Sequence, residues 1–209
     1  MFVKIIIFFN QSILIKYIHI IYTQIIKYNF LKFNFIVFPL EKINEFCFTN
    51  GLRKDFKGDG NPDIDLYECF LYFQDPLLMN GFNQAYCNDC GKLCDTLYGT
   101  YLYSLPKYLI LNLNRGKETI YKCNVKFPEI LKLNNYVKVG AINSIFRLKS
   151  IICNIANNNE ENHFIAYCRH NKDNNWYKYD YSIVTKCFSQ KEYLNGIPFI
   201  LFYESLDRE

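Results

Sequence analysis

Short strand-forming runs dominate this chain from Tyr108 onward, and they limit its fold more than any other feature. Tyr108-Leu109-Ile110-Leu111-Asn112-Leu113 lies between Pro106 and Gly116. Thr119 to Phe127 follows across Arg115-Gly116-Lys117, a spacing that reads as a hairpin. Further runs span Phe146 to Cys153, His163 to Cys168, Trp176 to Tyr179 and Phe199 to Tyr203. Helices are few. Asp65 and Glu68 have the spacing of a capping box, and Leu66, Phe70 and Phe73 then share one face until Pro76 ends the run. Ser189 and Glu192 form a second, briefer box. Many strands with few helices predict an α+β or mostly β sheet with long connections.

The first 38 residues stand apart. They hold no acidic residue and consist largely of Ile, Phe, Tyr, Asn and Lys, without caps, turns or a clear period. A membrane span needs roughly 20 apolar residues in a row. Lys4, Lys16, Lys27 and Lys32 break this one, leaving Ile5–Ile15 as its longest lysine-free stretch, so a membrane partner is not expected. Such a composition also follows from A/T-rich codons, and the segment is set aside as one that need not be native. Acidic residues and turn signals such as Gly58-Asp59-Gly60-Asn61-Pro62 appear after Phe38-Pro39. Residues 39–61 therefore read as a linker or the start of the domain, and 62–204 as the domain proper. Asn157-Asn158-Asn159 and Glu160-Glu161 read as a surface loop.

Half of the 209 residues are apolar and 21% are charged, a globular composition rather than a disordered one. The net charge of +4 is spread without a compact Lys/Arg cluster, which argues against nucleic acid as a partner. Nine cysteines, an odd number scattered without a preceding secretory signal, point to free thiols in a reducing cytoplasmic or nuclear compartment. Cys153, Cys168 and Cys187 lie in apolar runs as core residues would.

Two polar groups stand out against this scaffold. His163 opens one strand-like run and Asp180 closes another 17 residues later. Adjacent antiparallel strands set the start of one beside the end of the other, so the imidazole and the carboxylate can meet. A carboxylate on one ring nitrogen fixes the tautomer and frees the other nitrogen as a base. Cys87 and Cys90 form a Cys-x-x-Cys pair with Cys94 close behind. A closed zinc centre takes four ligands, so a free-thiol knuckle is the expectation over a metal site, and no cofactor is required.

These residues resemble the ubiquitin-specific proteases, whose histidine box reads Gly-His-Tyr-Val-Ala-Tyr and is followed by Trp-Tyr-x-Phe-Asp-Asp-Ser-x-Val and a Leu-Phe-Tyr strand. Here stand Asn162-His163-Phe164-Ile165-Ala166-Tyr167, Trp176-Tyr177-Lys178-Tyr179-Asp180-Tyr181-Ser182-Ile183-Val184 and Leu201-Phe202-Tyr203. Upstream, Leu66-Tyr67-Glu68-Cys69-Phe70, Tyr86-Cys87-Asn88-Asp89-Cys90, Leu105-Pro106 through Arg115, and Val125-Lys126-Phe127-Pro128 resemble further family elements in the same order. The resemblance implies a papain-like fold of fingers, palm and thumb, with ubiquitin or ubiquitinated proteins as partners. It also implies cysteine-type hydrolysis after ubiquitin's C-terminal glycine, with His163 as base, Asp180 as its orienter, and Ala166 and Tyr167 as packing. Asn162 and Tyr181 depart from the family's glycine and second aspartate. The cysteine box Gly-Asn-Thr-Cys-Tyr-Met-Asn-Ser has no counterpart, and Cys47 shares none of its pattern. The expectation is thus the fingers and palm portion of such a domain without its thumb. The alternative is an inactive ubiquitin-binding relative or a gene fragment.

Overall fold

A computed structural model describes residues 33–52, 63–102, 105–116, 121–137, 144–157, 160–189, 192 and 196–206. Its framework is an eight-stranded sheet. In chain order its strands are β1 (Phe33–Pro39), β7 (Tyr108–Asn114), β9 (Ile130–Lys132), β10 (Ile145–Asn157), β11 (Glu160–Arg169), β12 (Trp176–Asp180), β13 (Ile183–Lys186) and β14 (Ile197–Ser205). Across the sheet the order is β1-β7-β14-β10-β11-β12-β13, with β9 also on β10. Only the β1/β7 contact is parallel. Smaller pairs lie off this sheet: β2 (Asp63–Asp65) with β8 (Asn124–Lys126), β3 (Leu77–Met79) with β6 (Thr96–Tyr98), and β4 (Ala85–Cys87) with β5 (Lys92–Cys94). The α+β expectation holds.

Strand alternation sorts the sheet's side chains onto two faces. Leu109, Leu111, Leu113, Ile151, Cys153, Ile165, Tyr167, Leu201 and Tyr203 share one cluster with residues of both helices. Ile152, Phe164, Ala166, Ile200 and Phe202 form a smaller cluster among themselves. Two helices cover the larger face. In α1 (Leu40–Thr49), Leu40, Ile43, Asn44 and Cys47 are buried, the stripe that a 3.6-residue period turns inward. In α2 (Leu66–Gln74) the buried residues are Leu66, Cys69 and Phe70. Phe38 at the end of β1 meets Phe70 edge to face at 5.2 Å, which ties strand and helix into one core.

The capping box of α2 forms as the sequence predicts. Tyr67 N–H donates to Asp65 Oδ1 at 2.8 Å, and Asp65 N–H donates to Glu68 Oε2 at 2.8 Å. The second box forms in part, Glu192 Oε1 accepting from the Phe188 and Ser189 amides. The helix expected after it lies mostly outside the described residues.

Three expectations are corrected. Gly116 takes a φ of 93°, but the described residues 121–127 of the expected second strand do not pair with β7 as a hairpin, and residues 117–120 lie outside the described part. Both edges of β7 are already bonded, by β1 and β14, and Asn124–Lys126 instead lies parallel to β2. The ordered sheet begins earlier than the composition change suggests, because Phe33–Pro39 becomes β1 and Leu40–Thr49 a buried helix. Asn157 and Glu160, read as loop, face each other at the end of the β10/β11 hairpin. Residues 158–159 and 1–32 lie outside the described part.

Arg115 closes the far end of β7. Its side chain is almost fully buried. Nε donates to Pro198 O at 3.0 Å, and Nη1 donates to Tyr121 O and Cys123 O, each at 3.0 Å. One guanidinium thus satisfies carbonyls of β14 and of the strand-entry segment together, which a lysine's single ammonium cannot do. Removing the α2 cap is the cleaner test of local energetics. Asp65→Ala is expected to lower stability by about 1 kcal/mol in urea unfolding, and an unchanged midpoint would show that the box contributes nothing.

Candidate functional site

His163 and Asp180 meet through the register of β11 and β12. Ala166 lies across from Tyr179 and Arg169 across from Trp176, so the same register sets Asp180 opposite Ile165. Ile165 and His163 point to the same face, and a diagonal step of two residues is within reach of these side chains. The result is a hydrogen bond of 2.8 Å between His163 Nε2 and Asp180 Oδ1. His163 lies on the face that packs the main core, its side chain 8% exposed, while Asp180 is 25% exposed.

Asp180 carries a second partner. Lys178, two residues back on the same strand and therefore on the same face, brings Nζ to 2.9 Å from Oδ2. Burial pushes the Asp180 carboxyl up. The hydrogen bonds from Lys178 and His163, together with the Lys178 charge, outweigh it, and the net direction is below the usual carboxylate range. At neutral pH the group is an anion. It accepts from Nε2, so Nε2 carries the proton and Nδ1 keeps the lone pair. Among the described residues Nδ1 has no hydrogen-bond partner.

Tyr181 follows directly. Its ring lies 5.0 Å from the imidazole at 37°. Ala166 and Tyr167 are buried beside the pair. Sequence reasoning overlooked Lys178, although Lys178 and Asp180 share a face by simple alternation. It saw Tyr181 only as a departure from a motif.

None of the thiols is set up beside this base. Among the described residues no cysteine hydrogen-bonds to His163. Cys47 is fully buried near the C-terminal end of α1, where neither solvent access nor a helix N-terminus favours a thiolate. Burial pushes Cys153 up to about 12 and Cys168 up to about 11, so both are inert core thiols. Cys187 is also buried and raised.

A second cluster forms at the β4/β5 turn. The sulfurs of Cys87, Cys90 and Cys94 lie within 4.8 Å of one another. Gly91, at φ of 63°, supplies the tight turn, and its N–H donates to Cys87 O at 2.9 Å. Amide and thiol hydrogen bonds from Cys90 lead in holding Cys87 below its usual value, which favours a thiolate there. Tetrahedral zinc with bonds of about 2.3 Å sets sulfurs roughly 3.8 Å apart, so modest rotamer shifts would bring the three into range. Among the described residues no fourth His, Cys or carboxylate joins them.

Comparison with known proteins identifies the family and the fold. The family model described as ubiquitin carboxyl-terminal hydrolase matches residues 35–203. Among solved structures, the SAGA DUB module Ubp8/Sgf11/Sus1/Sgf73 bound to monoubiquitin is similar, with a TM-score of 0.58 and 25% identity over 71% of this chain. The same module bound to ubiquitin aldehyde gives 0.57 at 25%, and a yeast SAGA DUB module gives 0.57 at 26%. In each case the chain spans 36% of the relative's length.

The Asp180 anion has a measurable consequence. Its folded-state value lies below the unfolded value of about 3.9, so its stabilising effect is complete above that pH and is lost as pH falls through the folded value. Asp180→Asn should therefore lower stability at neutral pH, and the gap to wild type should shrink below about pH 4. Urea midpoints across that range would check it. A gap that does not vary with pH would show that the carboxylate is not the ionised partner.

Proposed function

This chain belongs to the ubiquitin carboxyl-terminal hydrolase family, and from that premise we propose that His163 and Asp180 are the base and orienter of a cysteine-type deubiquitinating centre. The observation that carries the reading is the 2.8 Å bond between Nε2 and the Asp180 carboxylate. It leaves Nδ1 to take a thiol's proton and return it to the leaving amine. The thiolate attacks the carbonyl of ubiquitin's C-terminal glycine, and water then releases the acyl group. Ubiquitin and ubiquitinated proteins are the partners, in keeping with the ubiquitin-bound state of two similar modules.

A second reading, a ubiquitin-binding relative without turnover, draws on two observations. No described cysteine meets His163, and Tyr181 stands where the family carries a second carboxylate. A ubiquitin C-terminal fluorogenic reporter and a cysteine-directed ubiquitin probe separate the two. This polypeptide alone is expected neither to turn over the reporter nor to take the label. Joined to a segment bearing the cysteine box, it should turn over, and His163→Ala should then cut the rate by several orders of magnitude, because base and nucleophile act as a unit. Turnover indifferent to His163→Ala would remove its role. Labelling abolished by Cys47→Ala would make Cys47 the nucleophile.

The Cys87, Cys90 and Cys94 knuckle, short of one ligand for a closed site, would hold zinc through three thiolates with water in the fourth position. Such a metal would brace the turn rather than enter the reaction. Cobalt(II) is the spectroscopic probe. We expect a thiolate-to-cobalt charge-transfer band on titration, and at least tenfold weaker binding in Cys94→Ser. If no band develops, the knuckle is a set of free thiols.

A further inference from the structure

Tyr181 occupies a position whose backbone suits another residue. β12 ends at Asp180 and β13 begins at Ile183, with those two residues paired, so Tyr181 and Ser182 form a two-residue hairpin turn. Tyr181 has φ of 50°, whereas Ser182 is not among the described residues of positive φ. A positive φ at only the first central residue is the pattern of a type II′ turn, where glycine is usual. A bulky aromatic side chain in the left-handed region is an outlier that the surroundings must sustain.

What the tyrosine gains in return is visible in its ring. The ring lies 5.0 Å from the His163 imidazole, tilted by 37°, and the residue itself is 70% exposed. The imidazole it lies against has a side chain only 8% exposed. Asp180 holds Nε2, and Lys178 holds the other carboxylate oxygen. On the β10 side the residue opposite is the apolar Ile155.

We propose that Tyr181 is a positioning residue, an aromatic cover that shields the His163–Asp180 hydrogen bond from water and fixes the plane of the imidazole. The inference rests on the reading of His163 as a base, since a base is useful only if its free nitrogen is aimed. A carboxylate at the same position would add charge beside the pair; the ring excludes water without adding any. The cover works through the ring face, at a position whose positive φ glycine would adopt with less strain.

The test uses the full chain and NMR of the His163 ring in wild type, Tyr181→Phe and Tyr181→Gly. In wild type and Tyr181→Phe, the Nε2 proton should exchange slowly with water, and the ring C–H protons should be shifted by the neighbouring aromatic current. In Tyr181→Gly, exchange should accelerate at least tenfold and the C–H shifts should relax toward ordinary values. Thermal stability should stay equal or rise, because the turn's φ now suits its residue. A purely structural role predicts the opposite sign for stability and no change at the proton. The proposal is overturned if Tyr181→Gly leaves both ring signals unchanged, or if Tyr181→Phe behaves like Tyr181→Gly. Nitrogen shifts reporting a proton on Nδ1 instead would sink the base reading, while the C–H shifts would still decide whether the ring covers His163.

Discussion

The register between β11 and β12 is the constraint on which the site depends, since a slip of one residue would send Asp180 to the opposite face. The Asp173 side chain makes most of the bonds that hold the turn setting this register, and Arg169 Nε adds one to Asn174 O at 3.2 Å. The Asp173 carboxylate accepts from Asn175 N–H at 3.1 Å and from the Tyr177 hydroxyl at 2.8 Å, and it meets His170 Nδ1 at 3.0 Å. These bonds, those to Asn175 and Tyr177 foremost, hold it well below the usual carboxylate range, so it is an acceptor throughout the neutral region. Asn174 takes φ of 55°, a conformation that asparagine tolerates better than most residues. His170 N–H and Asn175 O then close the hairpin at 2.9 Å. Local turn chemistry around Asp173, well before the Asp180 carboxylate it serves, decides which side chains meet.

The rest of the sheet supplies rigidity behind that hairpin. β10 runs for 13 residues and bonds to β14 along one edge, and to β9 and then β11 along the other. β11 therefore cannot shift without disturbing the strand that anchors the core. Arg115 and the Tyr203 hydroxyl, which donates to Pro128 O at 2.7 Å, pin β7 and β14 to the segments that cross beside them. His163 is consequently borne on a strand whose neighbours are packed on both faces, which is how a reacting group is held to a narrow range of positions.

Much of this was legible in the sequence, and what was missed has physical causes. The strands from Tyr108 onward, the capping box of α2 and the meeting of His163 with Asp180 follow from alternation, cap chemistry and spacing. β1 and α1 were hidden by composition. The Phe, Asn and Ile of Phe33–Pro39 look like the residues before them, and only pairing with β7 distinguishes them. Leu40, Ile43 and Cys47 do carry a helical stripe, and Pro39 precedes it, so that helix could have been read. The expected hairpin after β7 failed for a different reason. A turn signal states that the chain reverses, but not which edge is still open to receive the next strand. Parallel pairing of Asp63–Asp65 with Asn124–Lys126 joins residues some 60 apart, and no local pattern encodes it.

The site itself joins opposed tendencies within one hairpin. Asp180 needs enough burial to grip the imidazole, yet burial alone would favour its neutral form. Lys178 resolves the conflict by compensating the charge from the same strand, at the solvent edge where its ammonium stays partly hydrated. Tyr181 then closes the exposed side with a ring that brings no charge to upset that balance. Lys178, Asp180 and Tyr181 lie within four consecutive positions, so one turn of chain sets the charge, orientation and solvent access of His163 together. A change at any one of them must therefore be judged by its effect on the imidazole, not by its own contacts alone.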